Sequence, residues 1–173
     1  VAILVKLDSR GPVFFRQARI GRDGEVFDAI KFRTMVDGAD AMRDDVREQS
    51  MHANGQGLLK LRDDPRLTRV GAVLRRWSID ELPQLWNILN GSMSCVGPRP
   101  PTTYEVAEYD EFEMGRLAAR PGVTGLWQVT KRGDHNFADM VTLDVEYAKR
   151  VSLATDVSIL VKTIPTVLRG KGS

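Results

Sequence analysis

One cysteine, Cys95, and two histidines, His52 and His135, are all the thiol and imidazole this 173-residue chain contains. An internal disulfide is thereby excluded, and so few ligands argue against a structural zinc site. Excess charge is also missing. The formal net charge of +2 does not force a polyanion-binding role, although arginine outnumbers lysine, and the planar guanidinium fork matches phosphate and carboxylate oxygens. No Walker-type glycine loop, GxGxxG fingerprint or HExxH pair occurs, so the usual nucleotide folds are not indicated. Long apolar runs are absent too. The opening Val1-Ala2-Ile3-Leu4-Val5 is too short for a signal peptide or a membrane span. It reads as the tail of a longer apolar segment, ahead of a cytosol-facing domain.

With 42% hydrophobic and 28% charged residues, the chain is long enough for one packed domain, residues 1–173, and short for two. Two β-prone runs, 13–20 and 26–35, flank Gly21-Arg22-Asp23-Gly24, and Asp-Gly supplies the positive φ that a hairpin turn needs. The polar stretch 36–57 is expected to hold a short solvated helix and a mobile loop, as a surface insertion or a substrate lid. Asp64-Pro65 has the form of a helix start. Leu67, Val70, Leu74 and Trp77 follow at helical spacing, with Arg66, Arg69, Arg75 and Arg76 around them. A second helix is expected from Ser78 to a glycine cap at Gly91, then a Gly/Pro-rich loop over 92–103 and an acidic helical stretch over 104–119. After a loop at 120–125, Leu126-Trp127-Gln128-Val129 reads as strand. Helices over 139–151 and 155–168 follow, the last kinked or ended by Pro165 and either a core or an interfacial helix. The fold class is α+β, mainly helical with a small β-hairpin or sheet.

Ser78-Ile79-Asp80-Glu81-Leu82-Pro83 sets two carboxylates in front of an amphipathic run. Ser78 and Glu81 fit a capping box, yet with Ser78 as cap Pro83 falls at the fifth helical position, where its missing N–H orphans a carbonyl. With Asp80 as cap, Pro83 lies in the first turn at little cost. Both arrangements put the carboxylates at a helix N-terminus, whose amides and dipole favour the ionised form. Such a carboxylate is a competent nucleophile toward phosphorus, and its neighbour can hold a divalent cation. Cap and catalyst are both compatible with the pair alone.

Three further clusters bear on that choice. In Ser94-Cys95-Val96-Gly97-Pro98-Arg99-Pro100-Pro101, glycine and prolines stiffen a loop that presents Arg99, as a phosphate clamp or as an ordinary turn. In Lys31-Phe32-Arg33-Thr34-Met35, strand alternation puts Lys31 and Arg33 on one face. The glycines of Arg120-Pro121-Gly122-Val123-Thr124-Gly125, upstream of Arg132, permit close backbone approach to a ligand or simply make turns.

Taken in order, Leu7-Asp8-Ser9-Arg10-Gly11-Pro12-Val13-Phe14-Phe15-Arg16-Gln17, Lys31-Phe32-Arg33-Thr34-Met35, Asp80-Glu81-Leu82-Pro83-Gln84-Leu85-Trp86-Asn87, Val96-Gly97-Pro98-Arg99-Pro100 and Pro121-Gly122-Val123-Thr124-Gly125-Leu126-Trp127-Gln128-Val129 resemble the bacterial sugar transferase family. These are the polyprenyl-phosphate phosphoglycosyltransferases, and the resemblance covers nearly the whole chain. It implies a membrane-associated catalytic domain that moves a sugar 1-phosphate from a UDP-sugar to undecaprenyl phosphate at the cytoplasmic face of the bacterial inner membrane. UMP is released and surface polysaccharide synthesis begins. The resemblance further implies that Asp80 is the nucleophile of a covalent phosphosugar intermediate, with Glu81 beside it binding Mg2+. Arg99 would contact phosphate, Lys31 and Arg132 would lie near the substrate, and Asp156 would share the metal. An apolar membrane segment upstream of Leu7 is implied as well, and a homodimer is allowed for. Lys131 departs from the family, where a small residue often precedes the arginine.

Two other classes compete. A nucleic-acid-binding module would set Arg66, Arg69, Arg75 and Arg76 against phosphates, but the near-neutral charge and the lack of an aromatic-basic platform oppose it. An inert scaffold of the same fold would not need Asp80, Glu81 and Arg99 together. Cys95 is expected to be a small buried loop residue.

Overall fold

Strands β1 (Phe14–Ile20) and β2 (Val26–Phe32) pair antiparallel, from Phe14 opposite Phe32 to Ile20 opposite Val26. The structure is a computed structural model, and it describes residues 1–39, 41–42, 64–131 and 136–168. Most of the 36–57 stretch, Arg132, His52 and His135 therefore lie outside the described residues. At the hairpin turn Asp23 and Gly24 have φ of 58° and 84°, the positive values that Asp-Gly was expected to supply. The second strand stops at Phe32 rather than Met35. Arg33 turns inward and donates to the carbonyls of Pro12 and Ser9 and to the Ser9 hydroxyl, so it does not share a strand face with Lys31.

The first residues form helix α1 (Ala2–Asp8), with Val5 buried and Ile3, Leu4 and Leu7 exposed. Its last residue reaches across the fold, where the Asp8 carboxylate accepts from Val70 N at 2.8 Å. Val70 lies in the first turn of helix α2 (Arg69–Arg76), whose N-cap is Thr68 and not Asp64 as expected. Leu67 bridges Met35, and Val36 N donates to Arg66 O, which keeps this stretch extended and delays the helix. Asp64 instead grips the Arg66 guanidinium at 2.9 and 2.7 Å. Leu74 enters the core, whereas Trp77 is exposed.

A 3-10 turn (Ile79–Gln84) leads into helix α3 (Leu85–Leu89), and Gly91, with φ of 82°, ends it as expected. Strand β3 (Ser94–Val96) then pairs parallel with β4 (Gly122–Thr124). Between them lie the short helices α4 (Thr103–Val106) and α5 (Glu111–Met114), each opened by a capping box. The strand expected at 126–129 is instead helix α6 (Leu126–Thr130). A short apolar run is ambiguous on its own, and here β4 has already used the strand positions upstream while Trp127 is buried by the helical turn. Cys95 sits exposed on β3, not buried in a loop.

Helix α7 (Phe137–Lys149) buries Met140, Val141, Asp144, Val145 and Tyr147. Tyr147 packs with Val96, Ala119 and Ile159 in the core. Ile159 is the one buried residue among those described of helix α8 (Leu153–Leu168), so the segment meets the core along a narrow stripe that Thr163 extends by its bond to Thr124. Leu160, Val161, Ile164 and Leu168 are exposed. Pro165 does not stop α8, which continues to Leu168 even though the missing Pro165 N–H leaves the Val161 carbonyl without its intrahelical donor. Among the described residues no helix is long and apolar enough to cross a membrane. The architecture is α+β, mainly helical, with one hairpin and one short parallel pair.

Candidate active site

Ser78 takes left-handed backbone, φ 55°, a state shared among the described non-glycine residues only by Asp23 and strained for a serine. Its N–H reaches Arg75 O at 3.0 Å, so it closes α2 in the position a glycine often fills. No capping bond comes from its side chain. The capping-box reading is therefore overturned, and so is one continuous helix from Ser78 to Gly91. An α-helix here would press the Pro83 ring against the Ile79 carbonyl; the tighter 3-10 winding of 79–84 removes that contact.

Asn87 fastens the turn to the hairpin. Its Oδ1 accepts from Ile30 N at 3.1 Å and its Nδ2 donates to Asp28 O at 2.8 Å, so the amide occupies the edge of β2 as a neighbouring strand would. Asp80 is consequently buried, and Glu81 lies against β2, where Lys31 Nζ donates to its Oε1 at 2.8 Å. Burial raises the Asp80 carboxyl above the usual aspartate range and the Glu81 charge adds to this, while Lys31 and Arg75 pull it down. Desolvation thus outweighs the helix-end amides expected to favour ionisation.

Two arginines that sequence reasoning did not assign to the site stand in the field of the Asp80–Glu81 pair. Arg75 donates from Nε to Thr34 Oγ1 at 3.0 Å. Burial holds it below the usual arginine range, while Asp80 and Asp64 act in the opposite direction. Nothing in the local pattern marked it, because its link to Asp80 arises from the tertiary packing that buries both. Arg19 donates to Pro100 O at 2.8 Å, and its pKa is pulled down to about 10 by burial and then by Arg99. Glu81 is among the charges it feels. Period-two alternation puts Arg19 on the inward face of β1 with Phe15 and Gln17, a position where charge is unusual.

Arg99 faces Glu105 at 3.4 Å, and the two side chains are 28% and 16% exposed. Arg66 is sequestered by Asp64, Arg76 lies 5.7 Å over the Trp77 ring, and Arg69 is exposed. The four arginines of the nucleic-acid alternative are therefore sent to different surroundings. Asp156 accepts from the Tyr147 hydroxyl at 2.7 Å and lines a cavity with Arg22, Ser94 and Arg120. None of its described hydrogen bonds reaches the Asp80–Glu81 pair. Among the described residues no group of three or more His, Cys, Asp and Glu side chains is gathered for a metal. Adjacent Asp80 and Glu81 do offer hard oxygen donors whose mutual repulsion a divalent cation would relieve.

The family described as bacterial sugar transferase matches residues 1–170. The exopolysaccharide production protein ExoY of Rhizobium meliloti (strain 1021) is 43% identical over 175 residues, covering 100% of this chain and 77% of that protein. The galactosyl transferase CpsE of Streptococcus agalactiae serotype III (strain NEM316) is 43% identical over 94% of this chain and 36% of its own length. An undecaprenyl-phosphate galactose phosphotransferase of Salmonella typhimurium (strain LT2) is 41% identical over 94% of this chain and 35% of its own. The chain thus spans about three quarters of one relative and about a third of the others. On the family match and these identities, the chain belongs to the bacterial sugar transferase family.

Proposed function

We propose that this domain transfers a sugar 1-phosphate from a UDP-sugar to undecaprenyl phosphate, releasing UMP, through a covalent adduct on Asp80. The observation that carries the reading is a buried carboxylate, Asp80, set beside the Glu81–Lys31 ion pair and within the field of Arg75. In the first step an Asp80 oxygen attacks the β-phosphorus of the UDP-sugar, the bond to the bridging oxygen breaks, and UMP leaves. In the second, a phosphate oxygen of undecaprenyl phosphate attacks the same phosphorus and the Asp80 carboxylate is released. Phosphoryl transfer needs chiefly alignment and neutralisation of spread negative charge. Arg99, Lys31, Arg75 and Arg132 would supply that here.

Glu81, with Asp80 beside it, is the proposed protein ligand for Mg2+, which when bound would neutralise diphosphate oxygens. The share in the metal implied for Asp156 is tested by titrating Mg2+ against activity in Asp156→Asn. The proposed location is the cytoplasmic face of the bacterial inner membrane. Exposed apolar side chains on α1 (Ile3, Leu4, Leu7), around α3 (Leu85, Trp86, Leu89) and on α8 support contact with the bilayer surface. Relatives named for galactose, glucose and N-acetylgalactosamine transfer set the donor panel.

Intact-protein mass spectrometry after incubation with Mg2+ and those UDP-sugars, without lipid acceptor, tests the chemistry. A mass gain of one sugar phosphate with release of UMP, absent from Asp80→Asn, is the expected result. An adduct that persists in Asp80→Asn, or lipid-linked product formed by that variant at the wild-type rate, would remove Asp80 as nucleophile.

A further inference from the structure

Arg99 stands on an arm whose backbone is held at three successive carbonyls. Arg99 O accepts from Arg116 Nη2 at 3.1 Å, Pro100 O from Arg19 Nη1 at 2.8 Å, and Pro101 O from Ile20 N at 2.9 Å. Prolines 98, 100 and 101 fix φ and offer no N–H, so the main chain is settled without help from α4. The guanidinium is another matter, because it rides on a side chain with several rotatable bonds.

Glu105 meets it from the first turn of α4, and its two oxygens act differently. Oε2 accepts from the Thr102 N–H and the Thr102 hydroxyl, which anchors the carboxylate. Oε1 faces Arg99 Nη1 at 3.4 Å, and Oε2 is 4.0 Å from Arg19 Nη1. A capping box does not require such neighbours. The box of α5 makes the same reciprocal bonds, Asp110 N to Glu113 and Glu113 N to Asp110, and no arginine is among its described contacts. Burial works against ionisation of Glu105, but Arg99 and the Thr102 bonds outweigh it and hold its carboxyl below the usual range, so it is charged at neutral pH.

We infer that Glu105 is a positioning residue, anchored by one oxygen to the start of α4 and orienting the Arg99 guanidinium with the other, so that the free edge of the fork meets the donor's phosphate. The inference rests on the proposed role of Arg99 in binding phosphate. A guanidinium has donors on more than one edge, so a carboxylate on one edge leaves another for substrate. Two arginines share this one carboxylate, and the excess positive charge still attracts an anion.

The test is a double-mutant cycle read as kcat/KM for the UDP-sugar, with undecaprenyl phosphate in detergent, on wild type, Glu105→Gln, Arg99→Lys and the pair. Glutamine keeps an oxygen for Thr102, and thermal melting checks that the fold is intact. Glu105→Gln should lower kcat/KM about tenfold, Arg99→Lys should lower it further, and the double variant should be no worse than Arg99→Lys. Glu113→Gln, in the arginine-free box, should match wild type. Thr102→Val, which removes the hydroxyl half of the anchor, leaves the N–H half and keeps the charge, should cost about threefold, and that loss should also vanish in the Arg99→Lys background. Wild-type activity in Glu105→Gln, or an undiminished loss when either change is added to Arg99→Lys, overturns the positioning role while leaving the proposed reaction intact. Wild-type activity in Arg99→Lys would bring down both the phosphate role of Arg99 and this inference.

Discussion

Replacing Gly97 with alanine should disable the site without touching a charged group. A Cβ at 97 would lie 2.2 Å from Arg120 O and 2.7 Å from Gly122 N, where ordinary contact begins at 3.4 Å. Both neighbours are backbone, so no side chain can swing aside. The loops that follow β3 and precede β4 would have to part by about 1 Å, against the bonds from Gly97 N to Thr124 O and from Gly122 N to Pro98 O. Overpacking of this kind costs about 3 kcal/mol at its upper end, which for a domain of this size lowers Tm by about 6–12 °C. Arg99 lies two residues on, and a misplacement of about 1 Å can reduce turnover about a hundredfold. Calorimetry and UMP-release kinetics on Gly97→Ala would measure both effects. Gly91→Ala is the control, since nothing lies within 4 Å of its Cβ and only its φ of 82° resists the change. It should cost about 1–2 kcal/mol and leave kcat/KM unaltered. Wild-type melting and activity in Gly97→Ala would refute the argument, and an equal activity loss in Gly91→Ala would show that rate follows stability rather than displacement.

Three further variants test the buried charges. Because the folded pKa of Asp80 is raised above the ordinary 3.8, its stabilising contribution is present below that value and lost as pH rises through the folded pKa. Asp80→Asn should therefore melt at or above the wild type at pH 7, with the difference shrinking as pH falls toward 3.8, as thermal melts across that range would record. Arg116 and Asp144 form a fully buried ion pair, with the Tyr109 hydroxyl as a further partner of Arg116. Arg116→Met takes from buried Asp144 its ion-pair partner and leaves it the Arg99 N–H, which should cost about 3–5 kcal/mol, whereas adding Asp144→Leu should recover much of the loss in denaturant titration.

Local signals were legible where they stood alone. Asp23-Gly24 declared the hairpin turn and Gly91 the end of α3. They failed where a distant partner intervened. Asp64 had the chemistry of a cap, but the bridge between Leu67 and Met35 holds that stretch extended. Leu126 to Val129 had the composition of a strand, yet the pairing is made by Gly122–Thr124. For the site, Asp80, Glu81, Lys31 and Arg99 were recognisable as types in a pattern, whereas Arg19 and Arg75 enter through tertiary placement. Whether Ser78 caps the next helix or terminates the last depends on its own φ, which its side chain does not announce.

The attachments of the hairpin have a consequence for solubility. Asn87 occupies main-chain groups of β2 at residues 28 and 30, and on the other side Arg19 bridges Thr102 while Ile20 N donates to Pro101 O. An open strand edge is a template on which other chains can add. Here helix α3, which follows the turn bearing Asp80, and the arm bearing Arg99 partly cover both edges. Changes that loosen either one would uncover backbone donors and acceptors, so loss of activity in such variants should be accompanied by self-association of the protein.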